Sequence, residues 1–213
     1  LYSVPQEATR MGNSPRDKAA YYVDFNSQQA INALYMSALG DILNDKEISF
    51  TYKRHYFSLK TRINSQMWDE ETGFYHDLDE KGDRLPSKTI AGFWTLLAEI
   101  PNEAKAVRLI DHLKDPETFG IEHPFPSLSA DDPLFDENGG GYRGSVFPVF
   151  NFMVVKGLEK YAEAVRRRVA TEDPALCGCI AEIVRPGYQY LISDDEVKIV
   201  RCAQVKLYDT QSQ

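Results

Sequence analysis

Apolar residues recur at helical spacing along the first 165 positions of the chain. The first such run begins near Asp24, where Asp24 or Asn26 can cap a helix. Its apolar positions fall at i, i+1, i+4 and i+5 over about three turns, which predicts a single stripe that packs against a neighbour. The stripe consists of Ala30, Ile31, Leu34, Tyr35, Ala38, Leu39 and Ile42.

Four further runs have the same period. A second helix is predicted from Tyr52 to Met67, and a third begins after Ser87 and ends before Pro101. Asn102 opens the fourth helix, and the fifth runs from about residue 146 to 169 with Pro148 in its first turn. Helices paired through loops in this way predict an all-α fold built of helical hairpins.

Other segments depart from the helical period. Residues 74–85 predict a small hairpin or extended loop, and residues 114–141 form a long irregular connection with four prolines. Connections of that length in compact domains are usually functional or disordered, and this one leads straight into a glycine loop, which favours function. Residues 197–207 alternate in a pattern closer to a strand. The predicted domains are residues 1–165, helical, and residues 166–213, a divergent tail.

The glycine-rich loop delivers an aromatic and an arginine to the start of the fifth helix. Gly139, Gly140 and Gly141 are followed directly by Tyr142 and Arg143. Consecutive glycines let the backbone take positive φ and let another group approach closely. Two interpretations are open for this stretch alone: a glycine-softened turn with a solvated arginine, or a loop that lines a pocket.

Charge and composition exclude some partners. The chain has 213 residues, a net charge of -8 and a pI near 5.1. Nucleic-acid binding needs a basic face, so no nucleic-acid partner is expected. No apolar run approaches the roughly 20 residues that cross a bilayer, so no membrane span is predicted. The chain starts at Leu1 rather than Met, and we therefore assign no cellular compartment from the sequence.

Metal and nucleophile motifs are also missing from the sequence. The histidines lie in different elements without metal-ligand spacing, at His55, His76, His112 and His123. The three cysteines fit neither a disulfide framework nor a zinc knuckle. The remaining candidate functional residues are carboxylates, aromatics and arginines on loops that precede helices. That inventory is typical of carbohydrate chemistry, in which two acids flank a glycosidic bond while aromatic faces and forked donors hold hydroxyls.

Six motifs, in order, resemble glycoside hydrolase family 63 and its mannosylglycerate-hydrolase and trehalase-like relatives. They extend over about residues 9 to 161. The motifs are Met11-Gly12-Asn13-Ser14-Pro15-Arg16, Tyr22-Val23-Asp24 with Gln28-Gln29-Ala30, Met67 to Tyr75, Lys88-Thr89-Ile90-Ala91-Gly92-Phe93-Trp94, Leu128 to Pro133, and Tyr142-Arg143-Gly144-Ser145-Val146-Phe147-Pro148.

The resemblance implies a fold and an activity. The expected fold is a partial (α/α)6 toroid of helical hairpins, with a small hairpin insertion and a divergent tail, and with a pocket at one end built from inter-helix loops. The expected activity of the complete domain is inverting, exo-acting hydrolysis of α-linked glucosides or mannosides, without cofactor or metal. Expected partners are an oligosaccharide or small glycoside, and the remainder of the toroid or a second copy of the chain.

The resemblance also carries site residues onto this chain. Where the family has its general acid, an Asp, this chain has Gly12. Asp24, one helix turn past that loop, is the candidate acid in its place, and no residue is assigned as the base. The candidate substrate-binding residues are Asn13, Arg16, Gln28, Trp94, Asp132, Tyr142, Arg143 and Phe147. The alternative function is a non-catalytic carbohydrate-binding or helical interaction module that keeps the fold without the acid.

Overall fold

The computed structural model describes residues 1–4, 14–123 and 125–166, followed by five strands between residues 168 and 210. The chain divides into two compact units, Leu1–Lys160 and Tyr161–Gln213. The predicted domain boundary at residue 165 stays a prediction. None of the helices described is long and apolar enough to cross a membrane.

Helices α1 (Val23–Ile42) and α2 (Lys46–Arg62) form the first hairpin of the larger unit. The prediction that the apolar stripe of α1 packs against a neighbour was wrong for much of its length, since Tyr35, Leu39 and Ile42 are 57%, 49% and 77% exposed. Small residues make the contact instead, because a Cβ added to Gly40 would lie 2.5 Å from the Ser49 amide nitrogen of α2. The buried positions on this face of α1 are Ala30, Ala33, Ser37 and Gly40.

The other predicted helices of this unit are present in the structure, but several begin or end at other residues than predicted. Helix α2 continues as a π-helical turn, Ile63–Met67. The third helix starts later than Ser87, as a 3-10 turn Ile90–Phe93 that runs into α3 (Trp94–Leu97). Its start is delayed because Thr89 is extended and bridges to Leu128. Asn102 caps α4 (Glu103–Asp111) as expected, and Pro148 is the first residue of α5 (Pro148–Arg166).

A two-stranded hairpin follows the π-helical turn. Strand β1 (Trp68–Asp69) pairs antiparallel with β2 (Phe74–Tyr75), and Gly73 takes a φ of +68° in the turn between them. Beneath the loops, the rings of Phe74, Phe93 and Phe119 pack with centroids 5.1 to 5.8 Å apart.

The smaller unit contains strands, in agreement with the alternation read from the sequence. They are β3 (Arg168–Thr171), β4 (Ile180–Arg185), β5 (Tyr188–Ser193), β6 (Glu196–Arg201) and β7 (Gln204–Thr210). Strand β7 pairs parallel with β3 and antiparallel with β4, and β5 pairs antiparallel with β6.

Candidate active site

Three connections of the helical unit join into one layer, which we call the loop layer and define as residues 14–22, 74–90 and 125–147. The first connection bonds the second, because the amides of Ala20 and Leu78 donate to the carbonyls of Leu78 and Tyr21 at 2.8 and 3.0 Å. The second bonds the third where the Ile90 amide donates to the Ser127 carbonyl at 3.0 Å. The segments that lead into α1, α3 and α5 are therefore joined to one another by backbone hydrogen bonds.

A largely buried arginine bonds two carboxylates in the loop layer. Arg16 donates from Nε to Asp77 Oδ2 at 2.6 Å and from Nη2 to Asp24 Oδ1 at 2.6 Å. Its guanidinium also lies 4.7 Å from the ring centroid of Tyr22. Asp77 accepts a further bond, from the Val23 amide at 2.8 Å, and so caps α1 from a distant loop. Neither Asp24 nor Asn26 caps this helix, which corrects the expectation from sequence.

The electrostatics of this cluster argue against Asp24 as a proton donor. Burial alone would raise the pKa of Asp24, but the Arg16 guanidinium outweighs it and holds that pKa below its ordinary value. Burial would likewise lower the pKa of Arg16, and Asp77 and Asp24 together raise it instead. A carboxylate held ionised has no proton to give at neutral pH. The assignment of Asp24 as general acid stays a prediction, and its partners favour a role in positioning Arg16.

The glycine loop has the geometry expected from its sequence. Gly139, Gly141 and Gly144 take φ values of +76°, +65° and +152°. A Cβ on Gly140 would lie 2.6 Å from Arg143 Nη2, and one on Gly144 would lie 2.4 Å from the Asp136 carbonyl oxygen. The glycines therefore permit both the backbone turn and the close approach of the Arg143 side chain.

Arg143 itself is held loosely. Its Nη2 lies 3.4 Å from Asp136 Oδ2, and its Nε donates to the Gly140 carbonyl at 3.5 Å. Both side chains of this ion pair are about one third exposed, at 34% and 32%. Bonds at the outer limit of hydrogen-bond length leave guanidinium N–H groups available to another acceptor.

An aromatic cluster lies beside Arg143. The ring centroids of Tyr142 and Phe147 are 5.2 Å apart, and those of Phe147 and Phe150 are 5.6 Å apart in an edge-to-face arrangement. All three rings are partly exposed. Two residues predicted to bind substrate, Tyr142 and Phe147, are thus brought together with a third, Arg143.

The remaining predicted residues lie in different surroundings. Gln28 lies one helical turn after Asp24 on α1 and is half-buried. Trp94 begins α3, and its Nε1 is buried without a hydrogen-bond partner among the described residues. Asp132 accepts a bond from the Leu134 amide at 2.9 Å and so stabilises its own turn. Asn13 lies outside the described residues.

Sequence reasoning missed several residues that join the loops. Lys88 pairs with Asp131, and Ser129 donates to the same carboxylate at 2.6 Å. Ser127 accepts from the Gly144 amide at 3.0 Å and donates to the Gly141 carbonyl at 3.3 Å. Both Lys88 and Asp131 stood inside the resembling motifs, and that position was the signal that could have singled them out.

A depression of about 840 Å³ opens beside the glycine loop. Gly139, Gly144, Ser145 and Val146 line it on one side, and residues between 116 and 138 line the other. A volume of this order accommodates a small-molecule ligand. The predicted side chains, including Arg143, are outside its lining. Within the described part of the chain, no three His, Cys, Asp or Glu side chains are grouped to hold a metal ion.

Comparison with known proteins gives the same architecture. A GH63 mannosylglycerate hydrolase from Thermus thermophilus, in complex with glucose, superposes with a TM-score of 0.60 at 27% identity, covering 67% of this chain and 35% of that one. The neutral trehalase Nth1 from Saccharomyces cerevisiae shares the fold, with a TM-score of 0.54 at 18% identity, over 68% of this chain and 29% of that one. The helical unit is thus part of an (α/α)6 toroid, as predicted.

Sequence relatives extend well beyond this chain. An uncharacterized protein of Borreliella burgdorferi is 51% identical over 159 residues, which is 75% of this chain and 34% of that protein. The chain spans about a third or less of the length of the curated relatives it matches. A family model described as the mannosylglycerate hydrolase MGH1-like glycoside hydrolase domain matches residues 3–185. With that match over most of its length, the chain belongs to the MGH1-like family of glycoside hydrolase domains.

Proposed function

We propose that this chain forms one sector of the sugar pocket of a glycoside hydrolase that acts on α-linked glucosides or mannosides. In this proposal the loop layer holds the sugar. The complete domain removes the terminal sugar of the glycan, and the configuration at its anomeric carbon is inverted. The 213 residues alone bind a sugar but hydrolyse it weakly or not at all. The length of the relatives supports this, since the chain spans 34% of the Borreliella protein and 35% of the Thermus hydrolase.

The observation that carries the proposal is the occurrence of a loosely held arginine and a partly exposed aromatic cluster in one short segment. Arg143 is about one third exposed and makes bonds of 3.4 and 3.5 Å, so it can exchange them for sugar hydroxyls. Tyr142 and Phe147 lie beside it and present ring faces that suit the apolar face of a pyranose. The Thermus relative is described with glucose bound, which supports a sugar ligand.

The chemistry of inversion explains why hydrolysis is expected to fail. An inverting glycosidase needs a protonated acid and an ionised base about 6.5 to 9.5 Å apart, with a water between them. The position that resembles the family's acid is Gly12, which has no proton to donate. Asp24 is held ionised by Arg16 and is a poor substitute.

Sugar binding is the first test. Titration of the chain with glucose, mannose and an α-linked disaccharide, followed by calorimetry, should give saturable binding to at least one of them. Arg143→Gln should weaken that binding about tenfold or more, because each lost charge-assisted hydrogen bond is worth about 1.5 to 3 kcal/mol. Arg54→Gln is the matched control, since Arg54 is exposed on α2 outside the loop layer. Equal affinity of the Arg143→Gln and Arg54→Gln variants would contradict the proposal.

Hydrolysis is the second test. The wild-type chain should release little or no aryl alcohol from aryl α-glucosides and α-mannosides, and robust turnover would contradict an incomplete site. The Gly12→Asp variant supplies a carboxyl at the acid position but no base, so it should add little activity to the chain alone and should raise the rate of aryl-glycoside hydrolysis in the complete domain. Proton NMR of the first sugar released then reports inversion as a β-anomer.

A second candidate function is favoured by Gly12 itself. A family member without the acid can serve as a carbohydrate-binding module. Sugar binding without hydrolysis by the complete domain would select this function over the enzyme, because the 213 residues alone are expected to hydrolyse weakly or not at all under either function.

A further inference from the structure

Helix α2 carries a concentration of positive charge that the sugar site does not use. Residues 48–68 contain four basic residues, Lys53, Arg54, Lys60 and Arg62, and no Asp or Glu. The chain as a whole has a net charge of -8. A run of positive charge on an acidic protein is therefore a local feature, and its field acts on ligands that come close to it.

A cavity of about 540 Å³ opens beside Arg54 and Arg62, between α2 and residues Leu1 and Tyr2. Arg54, Ser58 and Arg62 line it at positions i, i+4 and i+8, which lie on one side of a helix. Thr51 and His55 form the adjacent row. The walls thus present two guanidinium groups, two hydroxyls and an imidazole, all of them able to donate hydrogen bonds.

The two arginines of the cavity differ from the other arginines with described side chains. Arg16, Arg84, Arg108 and Arg143 each pair with a carboxylate within 4 Å. Within the described part of the chain, the guanidinium groups of Arg54 and Arg62 have no ion pair and no hydrogen bond. Their charges face the cavity without a protein partner.

One wall of the cavity is held in place. The Tyr2 hydroxyl lies 2.9 Å from His55 Nε2, and the two rings stack with centroids 6.0 Å apart. The Tyr2 backbone is in turn tied to α1, because its amide donates to Asn26 Oδ1 at 2.7 Å and its carbonyl accepts from Asn26 Nδ2 at 3.0 Å. The Tyr2 wall is therefore tied to both α1 and α2, while the polar side chains of α2 that line the cavity are exposed.

We propose that this cavity binds a small organic oxyanion, with Arg54 and Arg62 as its charge partners and Thr51 and Ser58 as hydroxyl donors. Guanidinium groups match carboxylate and phosphate oxygens in pairs, and a cavity of this volume holds a ligand larger than a bare ion. The predicted sugar-binding side chains are outside its lining, so the site is separate from the loop layer.

The test uses two probes, inorganic phosphate and malonate, titrated into the wild-type chain at about physiological salt and followed by calorimetry and by the His55 ring resonances. Saturable binding with a shift of His55, and no shift of His123 in the other depression, is expected. Tighter phosphate binding identifies a phosphate ester as the ligand class, and tighter malonate binding identifies a carboxylate.

Adjacent residues provide a matched pair of variants. Arg54→Gln and Lys53→Gln each remove one positive charge from exposed positions of α2, but only Arg54 lines the cavity. Arg54→Gln should lower the affinity for the preferred probe at least about tenfold, and Lys53→Gln should leave that affinity within about twofold of the wild-type value. Failure of the wild-type chain to bind either probe, or equal losses in the two variants, would overturn the proposal. Because Arg143→Gln leaves this cavity intact, loss of sugar binding and loss of anion binding are distinguishable.

Discussion

Two arginines in the loop layer are held in opposite ways. Arg16 is buried, bonds two carboxylates at 2.6 Å and lies over Tyr22, whereas Arg143 is about one third exposed and bonds one carboxylate at 3.4 Å. Both stand before a helix in motifs that resemble the same family. The difference separates two environments: Arg16 joins the loops to α1 through short bonds, whereas Arg143 has long bonds that leave it partly exposed to solvent.

Removal of Asp77 should have the largest effect on stability. Asp77→Ala leaves the buried guanidinium of Arg16 with one partner and the Val23 amide with none. Breaking a buried pair from one side costs about 3 to 5 kcal/mol. Urea unfolding measures the loss, and Asp136→Ala, which removes the partner of Arg143, should cost about 1 kcal/mol or less. Similar losses in the two variants would show that the two arginines are held alike.

The glycine loop should be the next most sensitive region. Gly144→Ala combines a φ of +152° with a Cβ 2.4 Å from the Asp136 carbonyl oxygen, so we expect a loss of about 1 to 3 kcal/mol. Gly82→Ala is the control, because Gly82 has a φ of +86° but no atom within 4 Å of an added Cβ. Thermal unfolding should show a larger loss for Gly144→Ala, and the difference combines the close approach with the less accessible φ of Gly144.

Low pH should reduce the stabilisation that the ion pair of Arg16 and Asp24 provides. Because Arg16 holds the pKa of Asp24 below its ordinary value, Asp24 contributes stability above about pH 4, and that contribution is lost as pH falls through the folded-state pKa. The stability difference between the wild-type chain and Asp24→Asn should therefore narrow from about pH 5 towards about pH 2. A constant difference across that range, measured by urea unfolding at each pH, would contradict the pairing.

Lysine replacements should give the smallest effect and the sharpest contrast. Arg143→Lys keeps the charge and should change the free energy of unfolding by less than about 1 kcal/mol, because the native bonds are long and partly exposed. Arg16→Lys should cost more, because an ammonium group cannot bond two carboxylates through a planar fork. Calorimetric unfolding of the two variants side by side gives the comparison.

Much of the helical architecture was predictable because its signals are local. The Asn102 cap and the Pro148 start are fixed by residues within a turn of the helix end, and the glycine loop has the positive φ values that its composition suggests. The packed face of α1 was not predictable from periodicity. Most residues of its apolar stripe are exposed. Small residues pack against α2 instead, and their contact depends on how closely the two helix backbones approach.

By itself, the sequence determined the family, the helical hairpins and the loops that carry arginines and aromatics, because motif spacing and helix caps act over a few residues. Tertiary structure alone decided which of those side chains are free to act. Asp77 reaches Arg16 and Val23 across 61 and 54 positions, and the same Arg16 guanidinium holds Asp24 ionised. Contacts over such separations depend on how the loops meet, and no pattern of neighbouring residues encodes them.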